Sequence, residues 1–197
     1  MTAPTVDGSG VEYTRRLYAN VLAWYDNADR KAQLILTANG GFLTVLVGFA
    51  LSRPLEVRQT VDVFGPETWL FVGLTAGGIV ASFVSAALAL WSRLLSASAR
   101  DGIFARHGVK LGDPTTYDPS VVWFFQLVRH LDESALERRL QRFSPQDEID
   151  AMVDQIIQLA KRVHEKHLWV NIGFVAMTVG LCSLVATAAS YAIRLAA

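Results

Sequence analysis

The chain has 197 residues, with 18 basic and 18 acidic side chains and a single cysteine, Cys182. The balanced charge gives no overall basic field for a nucleic-acid polymer, and one cysteine excludes an internal disulfide framework or a cysteine-rich zinc site. Apolar residues make up 52% of the sequence, high for a soluble domain, so membrane spans are the first thing to test.

Residues 1–31 are polar, with no apolar stretch of signal-peptide type, so no cleaved signal is predicted. Met1–Gly10 reads as a loose tail, and an amphipathic helix from about Val11 leads into the first apolar segment. Three segments lack Asp, Glu, Lys and Arg altogether: Ala32–Ser52, Thr68–Ser92 and Leu168–Ile193. Each reaches the roughly 20 residues that cross a hydrocarbon core. One charge at a span centre costs about 2.5–3.5 kcal/mol on insertion scales, which explains three charge-free windows. A soluble bundle of buried helices is the alternative, but soluble helices normally keep a polar face. The reading is therefore an all-α membrane protein with three transmembrane helices, a hairpin plus a C-terminal span, and a small helical cytoplasmic lobe between spans two and three. The corresponding boundaries are 1–31, 32–92, 93–167 and 168–197.

Lysine and arginine set the predicted orientation. Fifteen lie before the first span or between the second and third, whereas Arg53, Arg58 and Arg194 fall on the other side. The positive-inside rule then puts the N-terminus and the middle lobe in the cytoplasm and the C-terminus outside a cell inner membrane. The hairpin connection Arg53–Glu67, with Pro54 and Gly65-Pro66, reads as a loop. Span two carries Gly73, Gly77, Ala81 and Ser85 at four-residue spacing, and span three carries Ala176, Gly180, Ser183 and Thr187. Small residues at such spacing allow close helix approach in lipid, within one subunit or between subunits of a homo-oligomer. Asn39 in span one needs a hydrogen-bonding partner there.

In the middle block, span two is expected to continue as helix to about Arg106, followed by a loop from His107 to Tyr117. Asp118-Pro119 starts a helix through "SVVWFFQLVRHLD". Ser134-Ala-Leu-Glu137 reads as a capping box for a short helix with Leu136, Leu140 and Phe143 inward. Ser144-Pro145 opens an amphipathic helix whose inward stripe is Ile149, Met152, Val153, Ile156, Ile157, Ala160 and Val163. That helix enters span three at His167-Leu168-Trp169 with no break signal.

No catalytic constellation is evident, so the chain is read as a non-enzyme. "HEKH", His164 to His167, places two histidines at i, i+3 with no third ligand, and no metal site is expected. Arg129, Arg138, Arg139 and Arg142 lie close in sequence to Trp123, Phe124 and His130, and arginine with an aromatic suits a phosphate and a stacked base. The same residues also suit a solvated helix surface, with Asp132, Glu133 and Glu137 interspersed. At the start of span one, Trp24, Asp29 and Lys31 sit at the level where Lys166 approaches span three. They either mark the interface by snorkelling or form a charged collar joining the lobe to the spans.

Taken in order, these features resemble the transmembrane effector of Pycsar, a bacterial antiphage system that signals with pyrimidine cyclic nucleotides. Trp24, the run Ala28-Asp29-Arg30-Lys31-Ala32, Asn39, the pair Phe124-Phe125 and "DQIIQLAKRVHEKHLW" with Lys166 carry the resemblance, over about Tyr18 to Gly180. His167 stands where the family pattern has tyrosine. The resemblance implies a partner pyrimidine nucleotide cyclase, a cCMP or cUMP ligand sensed in the cytoplasm and no other cofactor. It also implies damage to the inner membrane that aborts infection. In this reading Trp123, Arg129, Arg138 and Arg142 face the ligand, while Trp24, Asp29, Lys31, Asn39 and Lys166 couple it to the spans. The competing readings are a membrane scaffold without a ligand and an effector gated by a different cyclic nucleotide.

Overall fold

The computed structural model describes residues 8–91, 97–111, 113–122 and 125–196. Among them there is no strand, and the protein is all-α. The helices are α1 (Gly8–Ser52), α2 (Pro54–Asp62), α3 (Pro66–Leu90), α4 (Ala97–Arg106), α5 (Pro119–Val122), α6 (Phe125–Val128), α7 (Glu133–Leu140) and α8 (Pro145–Ala196), with a 3-10 turn at Pro114–Thr116. Helices α1, α3 and α8 each contain an apolar window long enough to cross a membrane. The chain divides into two compact units. One is Asp26–Trp91 with His164–Ala197, and the other is Met1–Tyr25 with Ser92–Val163. Helices α1 and α8 are uninterrupted and contribute to both.

The first unit is built on small residues. Ala32, Ile35, Ala86, Ala89 and Val170 form its core, flanked by Leu36, Trp169 and Phe174. Helices α3 and α8 approach closely at Gly78: a Cβ there would lie 2.7 Å from the Ala176 carbonyl oxygen and 2.8 Å from the Gly180 backbone. Two polar side-chain links tie α3 to its neighbours, the first to α1 and the second to α8. Asn39 Nδ2 donates to Ser82 Oγ at 2.9 Å, and the Thr68 and Ser190 hydroxyls bond at 2.7 Å. Ion pairs bracket the apolar section, Asp29 with Lys166 at one end and Glu67 with Arg194 at the other. Between Lys166 and Arg194, α8 rises about 42 Å at 1.5 Å per residue, comparable to the roughly 40–45 Å of a bilayer with its headgroups.

Two expectations for this unit need correction, and a third, the packing of small residues within one subunit, holds for Gly180 and Ser183 of α8 but not for most of the α3 stripe. The buried face of α3 is Thr68, Thr75, Ile79, Ser82, Ser85, Ala86 and Ala89. Of the α3 stripe read from the sequence, Ser85 alone is buried, while Gly73 and Gly77 face open space. The four-residue repeat was a real pattern on a face of the helix that α8 does not cover. The Arg53–Glu67 connection is not all loop, because Pro54 sits at the first helical position of α2, with Glu56 in its first turn. Proline lacks the N–H that is unpaired there anyway, and an acid favours the positive end of the dipole. Finally, α3 does not continue to Arg106. It ends at Leu90, where Trp91 turns extended with ψ 113°, and α4 is a separate helix that begins at Ala97.

The second unit has its own core of Phe104, Val109, Tyr117, Val121 and Leu127. Helix α4 closes at Gly108, whose φ of 65° is the left-handed conformation glycine adopts without strain. Val109 N–H reaches Phe104 O at 2.9 Å and Gly108 N–H reaches Ala105 O at 3.2 Å, the paired bonds of a Schellman cap. Tyr117 is almost fully buried, and its hydroxyl accepts from the Asp132 N–H at 3.3 Å. Helix α7 starts one residue before the expected box. Ser134 lies inside it and donates to Asp132 Oδ1 at 2.8 Å, and Leu140 is exposed rather than inward. The expected helix through "SVVWFFQLVRHLD" is described as the short α5 and α6, with residues 123–124 outside the described residues. Helix α8 opens as expected: the Ser144 N–H and hydroxyl both bond Asp147 Oδ2, at 2.8 and 2.7 Å.

The inward stripe of α8 is rotated from its expected position. Ala151, Met152, Gln155 and Val163 are buried, while Val153 and Ile157 are exposed and Ala160 is exposed with them. The apolar arc of this segment is wider than its neighbours cover. At its start, Arg15 of α1 grips Glu148 in a two-point fork, Nε to Oε1 at 2.7 Å and Nη2 to Oε2 at 2.9 Å.

The glycine contacts give a direct test. Gly78→Ala forces a methyl into backbone atoms of α8 and is expected to lower unfolding stability in detergent by about 1–3 kcal/mol. Gly77→Ala meets open space and should leave stability unchanged or raise it, because alanine is the better helix former by about 1 kcal/mol. Equal losses in the two variants would contradict the α3–α8 crossing.

Candidate functional site

The charge cluster at the start of the first apolar window resolves into one well-made contact. Lys166 Nζ donates to Asp29 Oδ1 at 2.5 Å, with the lysine side chain 13% and the aspartate 28% exposed. Local sequence explains the approach. Ala28 and Ala32, which flank Asp29, are fully buried, and their small side chains let α8 come near enough for a lysine to reach α1. Trp24 and Lys31 are exposed. Asn39, nearly three turns further along α1, is the buried partner of Ser82. The structure therefore joins Asp29 with Lys166, and Asn39 with a serine that sequence reasoning did not single out.

The arginines of the second unit separate into structural and open ones. Arg15 is structural, in its fork with Glu148, and so is Arg139. Its Nε donates to the Tyr117 carbonyl at 3.0 Å, its Nη2 to Asp147 Oδ1 at 3.2 Å, and its guanidinium lies 4.8 Å above the Phe143 ring. Bonds from the Ser144 backbone N–H and hydroxyl, with Arg139 behind them, hold the Asp147 carboxyl below the usual carboxylate range. Arg138 and Arg142, the neighbours expected to face a ligand, are exposed. Trp123 lies outside the described residues. Arg129 is exposed and donates from Nε to His130 Nε2 at 3.1 Å, and Arg100 Nη1 lies 3.5 Å from the same nitrogen. Arg100 was missed because it lies 30 residues from His130 in sequence and meets it only through the fold.

Among the described residues no group of three His, Cys, Asp or Glu is arranged to hold a metal ion. What the geometry offers is charge recognition and helix coupling.

The fold and these contacts define an all-helical protein with three helices of membrane-crossing length and a separate helical unit rich in arginine. The Pycsar effector protein domain matches residues 13–193. The chain belongs to that family, and its role is that of an antiphage defence effector. The match runs slightly beyond both ends of the stretch over which the sequence resembles the family. No curated protein and no solved structure matched the chain.

Two expectations follow for the contacts. Removing either partner of the Asp29–Lys166 pair leaves a charge in a poorly hydrated position. The cost should fall between the 0–1 kcal/mol of a surface pair and the 3–5 kcal/mol of a buried one, at about 2 kcal/mol. Asp29→Asn and Lys166→Met, alone and together, should then give a coupling of about 1–2 kcal/mol in a double-mutant unfolding cycle, and strict additivity would refute it. For Asp147 the lowered carboxyl stabilises the fold at pH values above the unfolded-state carboxylate pKa, and that stability drains as pH falls through the folded value. Wild-type protein should lose thermal stability more steeply below about pH 4 than Asp147→Asn, as followed by circular dichroism. Parallel acid profiles would contradict the network.

Proposed function

We propose that the chain is a signal-gated effector that converts a cytoplasmic cyclic pyrimidine mononucleotide, cCMP or cUMP, into damage to the inner membrane. A pyrimidine nucleotide cyclase supplies the nucleotide during phage infection, and membrane failure halts the cell before phage release. The chain itself performs no chemistry. The reading is carried by the family match over residues 13–193, and it is supported by the design of α8. One helix, Pro145–Ala196, supplies the arginine-rich unit with its longest element and the apolar unit with its third candidate span. The lysine and arginine distribution supports a cytoplasmic N-terminus and middle unit with the C-terminus outside.

Gating of this kind is a population shift. A ligand moves the spans only through its differential affinity for two arrangements. Turning a 1:99 mixture into 99:1 takes about 5.5 kcal/mol, so several charged contacts must change together. The Asp29–Lys166 pair is a suitable place for the change to pass, since it joins α1 and α8 at the start of their apolar sections. Assembly of several copies in the bilayer completes the proposal, with lipid and other subunits as the partners of the exposed apolar faces.

Dye release from proteoliposomes holding the full-length protein tests the reading. Release is expected on addition of cCMP or cUMP and not of cAMP or cGMP, with weakened release for Asp29→Asn. Constant leakage whatever is added, or release by purine nucleotides alone, would overturn it.

A further inference from the structure

In the arginine-rich unit, two guanidinium groups from separate elements converge on one imidazole nitrogen. Arg129 Nε is 3.1 Å and Arg100 Nη1 3.5 Å from His130 Nε2. Guanidinium nitrogens only donate, so Nε2 must be the unprotonated nitrogen, and His130 is held in its neutral form with the proton on Nδ1. Burial and the nearby charges of Arg100 and Arg129 all push the His130 pKa below its ordinary value, and Asp101 partly opposes them. A single lone pair is a poor match for two charged donors. Asp101 takes one of them, with its Oδ1 2.8 Å from Arg100. It is 62% exposed, and among the described residues no carboxylate pairs with Arg129. Two cations and one anion leave the cluster one positive charge in excess, on a surface open to solvent.

We propose that Arg100, Arg129 and His130 form a seat for the singly charged phosphodiester of a cyclic mononucleotide, the two arginines donating to its two non-bridging oxygens. The assignment rests on the nucleotide-gated reading above and names where that ligand's charged group is held. A cyclic phosphodiester carries one negative charge and presents two acceptor oxygens, which matches the excess charge and the two forks. It also relieves His130 of its role as acceptor. Nε2 is then free to take a proton and donate a third bond to the anion, so binding is linked to proton uptake. The His130 pKa rises on binding, and affinity strengthens as pH falls toward and below the ordinary histidine range. The groups facing His130 are Arg100 and Asp101 of α4 and its neighbour Arg129, and Asp101 favours the same proton uptake.

Phosphate is also presented by free phosphate and by lipid headgroups, so the test separates these sources. Full-length protein in nanodiscs of zwitterionic or anionic lipid is titrated with cCMP, cUMP or inorganic phosphate, with calorimetry for affinity and histidine NMR for the His130 pKa. Expected is nucleotide binding that tightens several-fold from pH about 8 to about 6, with the His130 pKa raised in the complex. Arg100→Ala and Arg129→Ala should each lose about tenfold or more, Arg129→Lys should lose less, and Arg106→Ala on the same helix should bind as wild type. Circular dichroism confirms folding of each variant, and Arg129→Lys stands in for any alanine variant that unfolds.

If nucleotide binds the wild type and both arginine variants alike, this seat is overturned and the functional reading survives. If no cyclic nucleotide binds but phosphate raises the His130 pKa in the wild type and not in Arg129→Ala, the anion seat stands and the nucleotide-gated reading falls. Should anionic lipid alone raise that pKa, the seat belongs to a headgroup and its assignment to a nucleotide is overturned. No response to any anion overturns the seat.

Discussion

Lipid leaves no water to satisfy a stray polar group, and this constraint orders the structure. Every apolar section here is helical, which satisfies the backbone internally. Polar side chains among them either meet one another, as Asn39 does Ser82 and Thr68 does Ser190, or bond a carbonyl one turn back in their own helix, as Thr44, Thr75, Thr178 and Thr187 do. Charge is confined to the two ends of the apolar section, where Asp29 pairs with Lys166 and Glu67 with Arg194. With hydrophobic driving force weak between helices in lipid, close packing and these polar links must hold α1, α3 and α8 together. That is why backbone contact at Gly78 and Gly180 matters more than the size of any side chain.

Much of this could be read from residue order. Three charge-free windows located the apolar helices, and the charges adjoining them located Asp29 and Lys166. Ser144-Pro145 marked the start of α8 because its capping chemistry is local. What could not be read depended on which face meets a neighbour. Gly77 and Gly78 differ by 100° around α3, and only the fold decides that Gly78 meets α8. Arg139 was indistinguishable from Arg138 and Arg142, since its partner carbonyl belongs to Tyr117, 22 residues earlier. Val153 and Ile157 keep the spacing of a core stripe, yet Gln155 is buried and they are exposed. Along α1 the buried positions Val11, Thr14, Val21, Ala28, Ala32, Ile35 and Asn39 keep alternating three- and four-residue spacing, with half-buried Tyr18 and Tyr25 filling the gaps. That is a heptad stripe. It was hidden in the sequence because half its members are small or polar.

The functional proposal joins these two levels. Two arginines gathered on His130 suit an anionic signal, and an apolar unit held by a handful of polar contacts suits a structure that can be loosened. Helix α8 belongs to both and has no break between Pro145 and Ala196. A long helix without a hinge resists local bending, so binding energy spent at one unit can reach the other without a separate messenger. In that proposal the Asp29–Lys166 pair, made in this structure, is the contact that the signal would break.

Cys182, the single cysteine of the chain, is exposed on α8 within its apolar section and offers the most direct measurement. An environment-sensitive fluorophore on Cys182, in full-length protein reconstituted in liposomes, should shift its emission when a bound cyclic pyrimidine nucleotide saturates. Saturating binding with unchanged emission would contradict the claim that a signal received by one unit reaches the spans of the other.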